Sequence, residues 1–246
     1  MHLFLYRRLW RGSLSTSLLF PVLYLAALGV GLGSLVNHHT GSVDGVSYLD
    51  FLAPGLLAAT VFQVIIGESS YPVMARVRWD KTYFAMLASP LSVSDLVIGH
   101  LLWLAVRAGI VAATFLAVMA AFGTVASPFA LGCLPLAMLC GVAYGAPMSA
   151  YAITTESEQG FPMIYRFVVI PLFLFSGTFY PISQLPRALQ FVAQVTPLSH
   201  AVSLSRMCTL GIFHPVQALI DLGYLTVLLV VGVVAAHRAF TKRLWR

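Results

Sequence analysis

The sequence is poor in charged residues. Only 9% of its 246 residues are charged and 59% are hydrophobic, and the mean hydropathy is +0.90. A soluble domain carries about 25% charged residues, so this composition excludes a soluble protein and indicates an integral membrane protein. Lys and Arg number 14 against 8 Asp and Glu. Basic cytoplasmic loops of a membrane protein explain this excess without a nucleic-acid partner.

The sequence also lacks the motifs of an enzyme. Its only lysines are Lys81 and Lys242, and neither follows a glycine, so the chain has no G-x-x-x-x-G-K-[ST] phosphate loop. It contains no G-x-S-x-G and no H-E-x-x-H motif. The three cysteines have neither metal-ligand nor paired redox spacing. We therefore expect a non-catalytic chain with no metal or cofactor of its own.

Long apolar runs dominate what is present. Six are suitable as transmembrane helices, at about 14–36, 48–70, 95–122, 129–153, 161–179 and 215–236. Residues 2–12 mix apolar side chains with three arginines, which is typical of a helix lying at the membrane interface. The start of a cleaved signal peptide is the alternative, but the following run is too long for a signal core. The expected fold is one all-α integral membrane domain covering residues 1–246.

The stretch between the fifth and sixth runs is too apolar for a solvated loop and too broken for a span. Gly177 and three prolines divide it, and proline removes a backbone donor. Its two pieces, together about 184–210, are each too short to cross a bilayer. Leu185, Leu189 and Val192 repeat at helical spacing. We predict two short helices that enter one face of the membrane and turn back.

The basic residues predict the orientation of the chain. With both termini in the cytoplasm, eleven face that side, whereas Arg187 and Arg206 face the outside and Arg107 lies within a span. Because cytoplasmic loops collect Lys and Arg, the two short helices are expected on the external face.

Several polar residues fall inside the predicted spans, among them Glu68, His100 and Arg107. Asp221 lies about 9 Å along the sixth span from its outer end and is expected to be hydrated from outside. Arg107 lies about 18 Å from the cytoplasmic start of its span, so it must face protein or a wet cavity. It either bonds carbonyl groups in the bundle or contacts substrate. Glu68 is about 12 Å nearer the cytoplasm by the same count, which argues against a direct pair. His100 is expected to be a buried, hydrogen-bonded histidine.

Two stretches carry a resemblance to a known family. S-G-T-F-Y-P-I-S-Q-L-P followed by T-P-L-S-H, and W-D-K-T-Y-F-A-M-L-A-S-P-L-S at 79–92, resemble type-2 ABC exporter permeases. The nodulation-factor (lipooligosaccharide) and daunorubicin-type drug exporter permeases are the most similar branches. Relatives often carry acids where this chain has Phe84, His100 and Ser203. The residues matching the family's re-entrant motif are Ser176, Gly177, Pro181, Leu185, Pro186, Pro197, Leu198, His200 and Arg206.

The second stretch resembles the family's coupling helix, at about 79–90, which lies along the membrane and inserts into a groove of the ATP-binding subunit. Trp79, Tyr83 and either Met86 or Leu87 are expected on one helical face. The alternative is an ordinary amphipathic loop at the interface. The full set that the resemblance assigns to coupling is Trp79, Asp80, Lys81, Thr82, Tyr83, Met86, Leu87 and Pro90.

The resemblance implies a permease subunit of an ATP-driven exporter in the bacterial cytoplasmic membrane. Two permease halves, identical or similar, would associate with two ATP-binding subunits that hold ATP and Mg²⁺. The substrate would be amphipathic or lipid-linked, a lipooligosaccharide or glycolipid first and a hydrophobic drug second. The alternatives are an ATP-independent carrier or channel and, less favoured, an intramembrane hydrolase using Ser176 and His200.

Overall fold

The chain is helical in the computed structural model, which describes residues 22–32, 43 and 45–245. These residues include no strand, only an isolated bridge between Val43 and Val46. The predicted interfacial helix at 2–12 and most of the predicted span at 14–36 lie outside the described residues. The helices are α1 Leu25–Leu32, α2 Tyr48–Ser69, α3 Tyr71–Arg78, α4 Thr82–Leu87, α5 Val93–Ala121, α6 Cys133–Thr154, α7 Gly160–Phe175, α8 Arg187–Val195, α9 Pro197–Leu210 and α10 Pro215–Leu244.

Four helical segments in this part of the chain are long and apolar enough to cross a membrane. They are α2 with α3, α5, α6 with the turn before it, and α10. The segment containing α2 runs on to Arg78 rather than ending near residue 70. Pro72 has no N–H, so the helix is interrupted at Ser70, whose hydroxyl bonds the Gly67 carbonyl at 2.9 Å. The helix then resumes as α3.

The predicted fifth span is the shorter helix α7. It ends at Phe175 instead of 179 and is about 24 Å long, less than the ~30 Å hydrocarbon core of a bilayer. Its middle, Tyr165–Val169, is a wider π-helical turn. This turn directly precedes Pro171, where a regular helix would lose a hydrogen bond. The predicted count of six spans therefore remains a proposal.

Helix α6 lies at the centre of the bundle and packs against α10, α5 and α2. Small residues allow this close approach. A Cβ added at Gly141 would lie 2.7 Å from the Ala108 Cβ. One added at Gly232 of α10 would lie 2.7 Å from the Pro147 ring. Gly141 of α6 and Gly232 of α10 thus allow the helices to pack closely.

Prolines place the two short helices between α7 and α10. Pro186 directly precedes α8, and Pro197 is the first residue of α9, positions where the missing N–H costs nothing. The bounds of α8 and α9 lie within a few residues of the predicted pieces. Gly211 ends α9 with a φ of 73°, which suits glycine.

Candidate functional site

The loop between α3 and α5 contains the predicted coupling helix in a shorter form. The helix covers Thr82–Leu87 only. Lys81 before it has a left-handed backbone with φ 49°, so Trp79 does not belong to the same helix as Tyr83. The predicted common face of these two side chains is therefore not formed. Ser92 and Asp95 form a capping box at the start of α5, which fixes the end of the loop to that helix.

Tyr83 points into the bundle instead of toward a partner. It is only 3% exposed, and its ring centroid lies 5.7 Å from that of Phe240 in α10. Its hydroxyl accepts a hydrogen bond from Arg76 Nη1 at 3.4 Å. Burial raises the pKa of the Tyr83 hydroxyl, against the opposing effect of Arg76, so the phenol stays neutral. Tyr83 thus fastens the loop to α3 and α10.

The surface of the loop is formed by other residues. Trp79 is 57% exposed and Phe84 is 41% exposed. Of the remaining residues assigned to coupling, Asp80, Lys81 and Pro90 are exposed, and Thr82, Met86 and Leu87 are half-buried. Phe84 was not among the predicted coupling residues. Its position next to the buried Tyr83 places it on the outer side of α4.

Glu68 and Arg107 form a direct ion pair, which corrects the expectation from their depths. Arg107 Nε donates to Glu68 Oε1 at 3.3 Å, and the two side chains are 9% and 30% exposed. The earlier count took the second span to end at Ser70. Because the segment continues past the interruption at Ser70 to Arg78, Glu68 lies about 15 Å along the chain from its end and Arg107 about 21 Å from the start of α5. A long arginine side chain bridges this difference.

His100 is buried within the same part of the bundle. It is 4% exposed, and its Nε2 lies 2.8 Å from the Ser149 hydroxyl of α6. Its ring stacks on Phe240, with centroids 6.2 Å apart. His100 therefore links α5, α6 and α10, in agreement with the expected hydrogen-bonded histidine.

Arg206 of α9 binds the backbone bend after α7. Its guanidinium donates to the carbonyls of Gly177 at 2.6 Å and Thr178 at 3.3 Å, and to that of Phe51 in α2 at 3.2 Å. It also lies 3.7 Å from the centre of the Phe51 ring, a cation–π contact. Gly177 has a φ of 79°, which glycine adopts readily. One arginine thus joins α9, α2 and the bend.

His200 forms a buried pair with Asp221, which the sequence reasoning did not identify. His200 Nδ1 lies 2.7 Å from Asp221 Oδ1, and the two side chains are 12% and 0% exposed. Asp221 also accepts a hydrogen bond from Gln217 at 2.8 Å. The Tyr224 ring stacks on His200 at 4.2 Å. Asp221 was expected to be hydrated from outside; a carboxylate within a span was the signal that it needed a protein partner.

The two residues of the hydrolase alternative bind other groups. The Ser176 hydroxyl lies 2.9 Å from that of Thr178 and donates to the Phe173 carbonyl at 3.3 Å. His200 pairs with Asp221, as described above. Neither contact activates a serine, because a nucleophilic serine needs a base within hydrogen-bonding reach.

The remaining residues of the predicted re-entrant motif lie in turns or are buried between helices. Pro181 precedes a short 3-10 turn, and the Leu185 carbonyl after it accepts from Gln190 at 2.7 Å. Leu198 is fully buried in the first turn of α9. These contacts hold the segment between α7 and α10 in a fixed conformation.

The described residues thus form a bundle with four helical segments long and apolar enough to cross a membrane, as expected of an integral membrane protein. Residues 4–210 match the family model of the ABC-2 type transporter, and the chain belongs to this family.

Its relatives include named permeases and nodulation proteins. The chain is 33% identical to nodulation protein J of Rhizobium meliloti (strain 1021) over 78% of this chain and 71% of the relative. It is 33% identical to nodulation protein J of Rhizobium leguminosarum bv. trifolii over 92% and 84%. It is 23% identical to the inner membrane transport permease YadH of Escherichia coli (strain K12) over 85% and 81%.

The family confirms the resemblance drawn from the two motifs. The chain is a non-catalytic transport subunit with several membrane-crossing helices. Permeases of this family work with an ABC ATP-binding subunit.

Proposed function

We propose that this chain is the membrane-spanning half of an ATP-driven exporter that moves an amphipathic or lipid-linked molecule out of the cytoplasm or the inner leaflet. A lipooligosaccharide-like glycolipid is the first candidate, by the resemblance to nodulation-factor exporter permeases, and a hydrophobic drug is the second. Two such halves pair with two ATP-binding subunits, which hold ATP and Mg²⁺. The chain has six spans with both termini in the cytoplasm, and α8 and α9 dip into the outer leaflet.

The loop 79–90 is the proposed docking site for the ATP-binding subunit. The observation that carries this proposal is the division of its aromatic residues. Tyr83 is buried against Phe240, whereas Trp79 and Phe84 are exposed. Tyr83 anchors the loop to the bundle, and Trp79 and Phe84 present an apolar surface to a partner. A partner bound to that surface can therefore push on the loop without detaching it from the bundle. The contacts of the loop then pass that force to α3, α5 and α10.

The polar side chains inside the bundle bind one another, which supports a transport path formed by apolar surface. Arg107 binds Glu68, and His100 lies against Ser149. These groups are used to hold helices together, so the substrate is expected to move along apolar surface between the two halves. Such a path suits a lipid-linked molecule.

The test is a charge placed on the exposed side of the loop. Phe84→Asp is expected to abolish co-purification with the co-expressed ATP-binding subunit, because an aspartate removes the apolar contact and adds a charge to it. The folded yield stays normal, since Phe84 is 41% exposed. The measurement is subunit association by affinity purification, together with ATPase activity of the complex.

Ile212→Asp is the matched control. Ile212 is 51% exposed and lies in the loop after α9, at the opposite end of the bundle. It is expected to leave association unchanged. Normal association and ATPase activity in Phe84→Asp would contradict docking at this loop. Transport by the isolated chain, driven by an ion gradient, would instead favour the ATP-independent carrier.

A further inference from the structure

A basic cleft opens beside the loop, where α3 and α10 end. Its volume is about 580 Å³, and it is lined by Val77, Arg78, Trp79, Phe84 and Arg243. Two arginines from distant parts of the sequence thus meet at one cleft with two aromatic residues. No carboxylate is among the lining residues, and Asp80 next to Trp79 does not line it either.

The positive charge of the cleft is not neutralised by the contacts around it. Arg78 Nε is buried, and no hydrogen-bond partner for it is found among the described residues. Arg243 Nη1 lies 3.8 Å from Glu156 Oε1, and the Glu156 side chain is 78% exposed. That distance is longer than a hydrogen bond, and an ion pair so exposed is weak. The buried Nε of Arg78 is not accessible to a ligand, so an anion in the cleft would be bound by the Nη groups of Arg78 and by the guanidinium group of Arg243.

The cleft lies at the level of lipid headgroups. Arg78 and Arg243 are in the last turns of two membrane-crossing segments, of 31 and 30 residues. Helix α10 is about 45 Å long, close to the ~40–45 Å thickness of a bilayer with its headgroup regions, and the segment of α2 and α3, interrupted at Ser70, ends beside it at the cleft. Trp79, at the mouth of the cleft, is typical of the interfacial belt.

We propose that this cleft binds the phosphate group of an anionic phospholipid in the leaflet on the side of the loop. Arg78 and Arg243 donate hydrogen bonds to the phosphate oxygens, since guanidinium groups match phosphate geometry. Trp79 and Phe84 contact the glycerol and the upper part of the acyl chains. Basic pockets between membrane helices on the cytoplasmic side are typical sites for such headgroups.

The lining of the cleft favours a lipid headgroup over an isolated carboxylate of a partner protein, because two guanidinium groups lie beside apolar walls formed by Val77, Trp79 and Phe84. A phosphoglycerol headgroup uses both features. Phe84 and Trp79 line the cleft and also belong to the proposed docking loop, so the two arginines, which lie outside that loop, distinguish this inference from the docking proposal.

The experiment measures lipid binding to the purified full chain in detergent by native mass spectrometry. The probes are dioleoylphosphatidylglycerol, dioleoylphosphatidylcholine and inorganic phosphate. We expect one tightly held phosphatidylglycerol per chain, at least tenfold preferred over phosphatidylcholine. The double variant Arg78→Gln/Arg243→Gln is expected to lose this preference.

The matched control is Arg238→Gln/Lys242→Gln. It removes the same charge from two exposed residues of α10 that do not line the cleft, and it is expected to keep the preference. Arg78→Lys/Arg243→Lys keeps the charge without the planar donors and is expected to bind with intermediate affinity. This variant keeps the proposal testable if the glutamine variant does not fold.

Three outcomes would overturn the proposal. The first is equal loss of lipid in the cleft variant and the control. The second is complete displacement of phosphatidylglycerol by millimolar inorganic phosphate, which would assign the cleft to a free anion. The third is unchanged lipid binding with loss of the ATP-binding subunit, which would assign it to an acidic residue of that partner. The arginine variants separate these results from the docking proposal, because Arg78 and Arg243 lie outside the loop 79–90, whereas Phe84→Asp alters a residue that lines the cleft as well. Loss of lipid with normal subunit association in Arg78→Gln/Arg243→Gln supports the cleft proposal and leaves the docking proposal intact.

Discussion

Removal of the buried carboxylate at Asp221 is expected to destabilise the protein strongly. Asp221 is fully buried and accepts hydrogen bonds from two side chains, His200 and Gln217. The His200 bond joins α9 to α10, and hydrogen bonds between membrane helices contribute on average about 0.6 kcal/mol each. The Gln217 bond lies within α10 and adds about 0.2–0.5 kcal/mol, so the two lost bonds account for about 1 kcal/mol. Loss of the carboxylate also leaves a buried ring N–H of His200 without an acceptor, which costs a further ~1–3 kcal/mol.

Two substitutions distinguish these contributions. Asp221→Ala is expected to cost about 3 kcal/mol, which corresponds to a fall in Tm of about 6–12 °C for a chain of this size. Asp221→Asn keeps an oxygen that accepts from His200 and Gln217, so we expect a loss of only about 1 kcal/mol. The assay is size-exclusion chromatography of the detergent-solubilised protein after heating.

The control is Glu158→Ala, which removes an exposed acid and is expected to change stability by less than about 0.5 kcal/mol. If Asp221→Ala were as stable as this control, the pair would not hold α9 on α10. Equal losses in Asp221→Ala and Asp221→Asn would indicate that charge, rather than hydrogen bonding, accounts for the whole effect.

Two further predictions concern the helix contacts. Gly232→Ala is expected to cost about 1–3 kcal/mol by overpacking against Pro147, whereas Gly223→Ala in the same helix, whose added Cβ meets nothing within 4 Å, should stabilise by up to ~1 kcal/mol. Thermal unfolding of both variants checks the opposite signs, and equal shifts would contradict the packing argument. For the Glu68–Arg107 pair, a double-mutant cycle with Glu68→Gln and Arg107→Met should give a coupling energy of about 1–2 kcal/mol, below the value for a fully buried pair. Additive effects would mean that the ion pair contributes no stability.

The sequence alone predicted the features that depend on local rules. Pro186 and Pro197 determine where α8 and α9 begin, so their bounds were close to the observed ones. The intramembrane Arg107 was expected to require an interior environment. Its partner was not identified, because depth was counted from a helix end that lies further along the chain. The predicted end, near residue 70, is eight residues short of Arg78, which moves Glu68 by about 12 Å, a substantial part of the bilayer.

The contacts that were missed depend on tertiary structure. The predicted face of the coupling helix assumed a continuous helix from Trp79, but Lys81 breaks it with a left-handed backbone that residues other than glycine adopt infrequently. No local pattern signals this break. The pairing of His200 with Asp221 joins two helices, and periodicity within either helix does not indicate it.

Helix α10 connects the two regions that the sequence marked as distinctive. Near one end, Phe240 packs against Tyr83 of the loop and His100 of α5. Toward the other end, Asp221 holds His200 of α9. These two points are about 28 Å apart along one uninterrupted helix. A rigid helix moves as a unit, so under the proposed function a displacement of the loop by the ATP-binding subunit would reach α9 through α10.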